Sequence, residues 1–274
     1  MPAPNAIGPD KLARLIGGPA TPILIDVRED RGTSRIPGAR PHAPGAIAEW
    51  SGSLVGRSVV VIDTDGSTAQ GIAAWLRAEG VSAEALAGGH AAWAAANLPL
   101  LDTTHLPPPG ADGRTTWVTR ARPKVDRIAC PWLIRRFVDP EARFLFVPPA
   151  DVLAVAQKLG GDPFDVDAPG VFWSHRDEKC TFDVMIEAFG LSGIEPLAHL
   201  ATIVRGADTD RLDIVPEAAG LLAISLGLSR LHADDLAQLD AGMLVYDALY
   251  RWCRDARGET HDWVSHISRA KASA

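Results

Sequence analysis

Two stretches of this chain concentrate side chains capable of chemistry. The first is Thr116–Phe137, TWVTRARPKVDRIACPWLIRRF, which sets Arg120, Arg122, Lys124, Arg127, Arg135 and Arg136 among Trp117, Val118, Ile128, Trp132, Leu133 and Phe137. Cations mounted on packed elements can hold an oxyanion, because guanidinium forks match planar or tetrahedral oxygen groups with paired hydrogen bonds. The competing reading is that each arginine pairs with a nearby acid. The second stretch is His175–Asp183, HRDEKCTFD, with an imidazole, a thiol and several carboxylates. His175 and Cys180 are close enough along a loop to reach one transition metal, and carboxylates can complete the set. Alternatively, Cys180 is buried as a small hydrophobe and Asp183 caps the helix that follows. Asp208, in the RGADTD segment, reads as a metal carboxylate, as a partner for Arg120 and Arg127, or as an ordinary turn residue. Glu217 suits the first turn of an apolar helix and becomes a ligand if that end is buried.

These residues sit in a chain of 274 residues, 47% hydrophobic and 22% charged, with a formal net charge of −7. That composition builds one or two globular domains with a real core. The acidic balance, with no evident helix-turn-helix, argues against direct DNA binding. Cys130, Cys180 and Cys253 are too few and too scattered for a disulfide framework, which points to a reducing cytoplasm or to one metal or thiol site. No apolar run reaches the ~18 residues needed to span a membrane, and the N-terminus lacks the pattern of a secretion signal.

The elements that must position these groups fall into two sets. In the first hundred residues, PILIDV (22–27), SVVVID (58–63) and Val81–Leu86 read as buried strands, and helices are expected near Asp10, over Ala69–Glu79 and from Gly88. Strands alternating with helices imply an α/β fold. LDTTHLPPPGADG (101–113) then marks a stiff linker, set at 103–115, with His105 solvated. Domains are therefore set at 1–102 and 116–256, with a polar tail over 257–274. In the second domain, Thr115–Thr119 and Arg143–Val147 read as strands and Ala150–Leu159, Phe182–Phe189 and Glu195–Arg205 as helices. Pro216–Leu231, apolar on nearly every side, is expected to be the central helix. Ala233–Arg254 is amphipathic through Leu236, Leu239, Met243, Tyr246 and Tyr250. Pro131 should kink or start the helix around it.

The residues also carry two resemblances. IDVRED at 25–30, PGA at 37–39, the strand-loop-helix at 58–76 and LAGGHAAW at 86–93 together resemble a rhodanese domain. The resemblance implies a three-layer parallel-sheet fold and a sulfur-carrying cysteine at the start of the loop after the VVV strand. Gly66 keeps its place in that loop, but Asp63 stands where the cysteine would be and Thr68 where an arginine would be. A carboxylate cannot store sulfane sulfur, so no sulfurtransferase activity is expected. The domain then reads as a scaffold that docks a protein partner.

The second half, through TWVTRARPKVDRIACPWLIRRF, FLFVP, PFDV, IVRGADTDR, PEAAGLLAISLGLSRL and YDALYRWCR, resembles the C-terminal domain of chromate-resistance proteins of the ChrB family. It is read as a mainly helical α+β domain, and the resemblance implies a role in chromate resistance. Two functional readings stand together. One is a sensor or accessory protein that binds chromate or a related oxyanion through Arg120, Lys124, Arg127 and His175. The other is a redox or detoxification enzyme holding a divalent transition metal on His175, Cys180, Asp208 and Glu217.

Overall fold

A computed structural model describes residues 5–259. In the first domain the apolar runs become the middle of a sheet. Its elements are β1 (Ala6–Ile7), α1 (Pro9–Ala13), β2 (Ile23–Asp26), β3 (Ser34–Arg35), β4 (Ala39–Pro41), α2 (Ile47–Trp50), β5 (Ser58–Ile62), α3 (Ser67–Ala78), β6 (Ser82–Leu86), α4 (Gly89–Ala95) and β7 (Leu101–Asp102). The main sheet runs β1-β6-β5-β2-β4 with every pairing parallel. Both faces of β2 and β5 are covered, which is why their sequences do not alternate. Ile25, Val59 and Val61 face α3 and pack on Ile72, Ala73 and Leu76. Leu24, Val60 and Ile62 face the other way, toward Leu12 and Trp93. The result is the three-layer arrangement expected.

The second domain is built from β8 (Thr116–Arg120), α5 (Asp126–Leu133), β9 (Arg143–Val147), α6 (Val152–Leu159), β10 (Asp162–Pro163), α7 (Thr181–Ala188), α8 (Glu195–Asp208), α9 (Glu217–Leu231) and α10 (Asp235–Asp255). A small parallel sheet, β10-β8-β9, stands beside the helices. Pro131 lies inside α5, and the helix continues past it as one wide π turn over Ile134–Val138. A ring with no N–H to donate leaves the ladder short of one bond, and such disturbances gather where helices widen.

The core of this domain is α5. Ile128–Leu133 are all buried, and the Trp132 indole N–H donates to Asp247 Oδ1 at 2.8 Å, deep against α10. Arg136 closes on the same carboxylate through Nε at 2.8 Å and Nη2 at 2.7 Å. The expectation that α9 would be central is overturned. It buries only Ala218, Leu221, Ser225 and Ser229 and leaves Ile224, Leu226 and Leu231 exposed. Leu236, placed in the apolar stripe of α10, is 50% exposed, whereas Leu239, Met243, Tyr246 and Tyr250 are buried.

The linker does not separate the two cores. One continuous cluster of buried residues runs from Leu12, Trp93 and Leu101 to Trp117, Phe137 and Tyr250. Close approach is required at Gly17, with φ +86°, where a Cβ would fall 2.5 Å from the Phe137 ring. Thr103 N donates to Thr33 O, Thr115 N donates to Asp139 Oδ2, and Arg40 pairs with Glu141 at 2.5 Å. His105, expected to be solvated, is exposed but stacks on Phe172 with ring centroids 4.2 Å apart. Among the described residues no helix is long and apolar enough to cross a membrane. Most of the polar tail, residues 260–274, lies outside the described region.

Candidate metal and oxyanion site

The two chemically loaded stretches meet. His175 sits at the base of a tight hairpin in which Arg176 N donates to Lys179 O at 3.0 Å and Lys179 N to Arg176 O at 2.9 Å. Asp177, at φ +54°, makes the reversal. The hairpin projects His175 to one side and returns the chain to Cys180, the N-cap of α7. His175 Nε2 lies 3.2 Å from Asp208 Oδ2, 3.3 Å from Asp165 Oδ1 and 3.5 Å from Asp126 Oδ2. Its side chain is 42% exposed, so the cluster opens to solvent on this side.

Asp126 is the anchor. It opens α5, but its carboxylate serves a different helix. Thr181 N donates to Oδ2 at 2.7 Å and Phe182 N to Oδ1 at 3.3 Å, at the N-terminus of α7. A helix N-terminus favours an anion there. The residue before it, Val125, holds φ +34°, a conformation a β-branched side chain rarely adopts. It is clamped by Ser225 Oγ, which accepts from its N–H at 2.9 Å, and by the Tyr246 hydroxyl, which donates to its carbonyl at 2.8 Å. Such strain, about 1–3 kcal/mol, persists where surrounding structure fixes a functional residue.

Asp208 lies on the last turn of α8, one turn beyond where sequence reading ended that helix, and its Oδ1 accepts from Asp126 N at 3.4 Å. Asp165, at φ +51° beyond β10, joins the two halves of the site. One oxygen faces His175; the other accepts from Arg120 Nη2 at 2.9 Å and stands 3.2 Å from Arg127 Nε. Burial, with the charges of Asp208 and Asp165, pushes Asp126 up to about 7, although the hydrogen bond to His175 opposes it. Hydrogen bonds to Asp126, Asp165 and Asp208 raise His175 to about 12 against the pull of burial. Burial works to raise Asp165, but His175, Arg120 and Arg127 together carry it below the usual carboxylate value.

The other candidates do not join this cluster. Lys124 is exposed and lines a separate hollow with Arg122, Leu226, Ser229 and Arg230. Arg122 caps the end of α9 through the carbonyls of Ser229 and His232. Arg135 pairs with Asp240, and Arg136 with Asp247. Cys180 is fully buried and donates to Asp183 Oδ2 at 3.2 Å. Burial pushes its thiol well above the ordinary value. Glu217, in the first turn of α9, bears on Cys253 at the end of α10 rather than on His175. Asp126, His175 and Asp208 each offer one ligand atom, all within 4.8 Å of one another. Sequence reasoning missed Asp126 and Asp165, and no spacing rule links them to His175.

Residues 117–253 match the family model of the ChrB C-terminal domain. This chain belongs to the ChrB family. A relative named Protein ChrB, from Cupriavidus metallidurans, is 34% identical over 156 residues, covering 57% of this chain and 44% of that one. The chain thus spans less than half the length of the curated relative it matches. Among solved structures, a rhodanese-like domain protein from Staphylococcus aureus is 25% identical over 33% of this chain and 91% of its own, with a TM-score of 0.30. A rhodanese-related protein from Thermoplasma volcanium is 15% identical over 35% of this chain and 97% of its own, with a TM-score of 0.31.

The site in the ChrB-type domain offers one imidazole nitrogen and carboxylate oxygens, a donor set suited to Mn, Fe, Zn or Mg rather than to soft, thiolate-seeking metals. Beside it, Arg120 and Arg127 offer charge-assisted donors. Ahead of the ChrB-type domain, the loop at 63–68 is closed. Asp63 Oδ1 accepts from Gly66 N at 2.6 Å and Oδ2 from Ala69 N at 2.9 Å. The buried carboxylate occupies the N-terminus of α3, where a helix end favours an anion. Gly66, at φ +93°, is required because a Cβ would meet Gly88 N at 2.9 Å. Thr68 is exposed.

Proposed function

We infer that this chain serves in chromate resistance and that its ChrB-type domain does so through a divalent-metal centre on Asp126, His175 and Asp208. The chromate role rests on the resemblance to ChrB proteins. One observation carries the metal centre: ligand atoms from α5, the 175–180 hairpin and α8 converge within 4.8 Å. Neither Cys180 nor Glu217 belongs in this ligand set. Asp126, Asp165 and Asp208 formally balance Arg120, Arg127 and a protonated His175. A divalent cation that displaces the imidazole proton leaves one positive charge in excess, on the side where the two guanidiniums stand. An oxyanion is the ligand such a site would then attract.

A second reading, an oxyanion held without metal by Arg120, Arg127 and His175, is favoured by one feature. Arg120 Nε is buried and has no hydrogen-bond partner. Against it, Asp165 already pairs with both guanidiniums. The two readings separate in calorimetry on tag-free protein. The metal reading expects chromate, with molybdate as a redox-inert surrogate, to bind only after Mn²⁺ or Zn²⁺ is added. The metal-free reading expects binding in the presence of chelator, strengthened in Asp165→Asn. Binding with chelator present at unchanged affinity would remove the metal centre from the mechanism. The first domain, with Asp63 filling its loop, serves as a scaffold.

A further inference from the structure

The shared core leaves a hollow at the seam between the two domains. It measures about 440 Å³, with Ile16, Trp93 and Leu98 from the first domain on one side and Phe137, Ile194 and Tyr250 from the second on the other. Small ligands bind by preference in clefts of this size at domain boundaries, where apolar walls carry a few polar groups.

Two features set the hollow apart from a packing defect. The first is Tyr250, which is 5% exposed. Its ring meets Phe137 edge-on at 5.6 Å and packs on Gly17, where a Cβ would fall 2.9 Å from Cε1. A buried tyrosine normally has a partner for its hydroxyl. Tyr246, one turn earlier, donates to Val125 O at 2.8 Å, but among the described residues the Tyr250 hydroxyl makes no hydrogen bond. Burial pushes that hydroxyl up to about 12, so at neutral pH it keeps its proton and can donate. The Trp93 indole N–H is already bound to Pro99 O at 2.8 Å, which leaves the phenol as the free donor of the aromatic lining. The second feature is the rim. Arg14 and Arg254 stand there with Asp10 and Glu195, and the four charges formally cancel. Arg254 also donates to Arg14 O at 3.1 Å, and Glu195 pairs with Arg257. Such a rim gives a charged ligand no net attraction. The aromatic walls suit a planar ring system, which can stack on them or meet their edges.

We propose that the seam binds an uncharged planar aromatic compound carrying a carbonyl acceptor, with Tyr250 as the hydrogen-bond donor and Trp93 and Phe137 as walls. Such a ligand touches both domains, so it tightens the seam and gives the first domain a part beyond that of a scaffold.

The test is equilibrium dialysis of the full chain with 2-acetylnaphthalene and with 2-ethylnaphthalene, a compound of the same shape without the acceptor. The wild type should bind one equivalent of the ketone with a dissociation constant of about 10–100 µM, within reach of a ligand of this size. Tyr250→Phe removes a hydroxyl that no described residue holds. It should weaken the ketone about fivefold, the worth of one net hydrogen bond, and should not weaken the hydrocarbon. This comparison decides by itself if other variants misfold. Ala13→Trp fills the hollow and should abolish binding of both compounds. Tyr250 also borders a second hollow beside Leu244 and Ala248, so Ala248→Trp should leave both unchanged. His175→Ala should bind the ketone as the wild type does, which keeps the outcome independent of the metal centre. No saturable binding of the ketone, a Tyr250→Phe loss shared equally by both compounds, binding that survives in folded Ala13→Trp, or binding removed by Ala248→Trp would each overturn the proposal.

Discussion

Replacing His175 by alanine tests the metal centre most directly. A divalent cation that binds only the folded state stabilises it by about 2.7 kcal/mol at one hundred times its dissociation constant. For a chain of this size each kcal/mol moves the melting midpoint by about 2–4 °C, so saturating Mn²⁺ or Zn²⁺ should raise the wild-type midpoint by roughly 5–11 °C. His175→Ala removes the only nitrogen of the set and should abolish that rise. Without metal the same variant should melt slightly lower. Asp126 loses one partner but keeps the N–H groups of Thr181 and Phe182, which places the loss at the low end of about 1–3 kcal/mol.

The sign of the pH dependence follows from the same geometry. His175, raised to about 12, holds its proton at neutral pH in the metal-free protein. Metal must displace that proton, so affinity should rise with pH, by about tenfold per unit above pH 7. Asp126, raised to about 7, carries a second proton below that value. The slope should therefore steepen toward about a hundredfold per unit as pH falls below 7. Differential scanning fluorimetry and calorimetry in two buffers of different ionisation enthalpy read both quantities. An equal metal-induced shift in wild type and His175→Ala, or binding with no proton release at pH 7.5, would refute the assignment.

Other expectations are as concrete. Asp63→Ala should cost about 1–3 kcal/mol in chemical denaturation, because two buried N–H groups lose their acceptor. Asp63→Cys should restore a thiol without restoring appreciable thiosulfate–cyanide transfer, since Thr68 stands where the arginine would be; wild-type turnover above background would contradict the scaffold reading. Asp247→Ala strands the Trp132 indole and the partly buried Arg136 and should cost about 3 kcal/mol, measured by urea unfolding. Burial raises all three thiols, Cys253 to about 11, so native protein at pH 7 should react only slowly with a disulfide reagent and take up three equivalents when unfolded.

Local chemistry made much of this molecule legible. PILIDV and SVVVID could only be covered strands, because an uninterrupted apolar run with charged ends has no solvent face to offer. The 103–115 segment had to be irregular, because three prolines donate no N–H. Rhodanese chemistry is not expected from the loop at 63–68, since Asp63 carries no sulfur. Reading α9 as central failed for an instructive reason. Composition reports that a helix is apolar on all sides, but not which of those sides the rest of the chain covers.

The candidate site divides along the same line. His175, Asp208, Arg120 and Arg127 were visible as residue types in suggestive company. Asp126 and Asp165 were not, because their roles come from neighbours distant in sequence. Asp126 is an anchor only because the N-terminus of α7, fifty-five residues away, supplies two N–H groups to it. Asp165 is a bridge only because β10 sets it between His175 and the arginines of β8 and α5. The sequence by itself determined the inventory of charges, thiols and imidazoles. Only tertiary structure decided which charges neutralise one another. That pairing depends on distances of a few ångströms between elements that the chain brings together by burying Trp117, Trp132 and Phe182, and those contacts leave no spacing rule in the sequence.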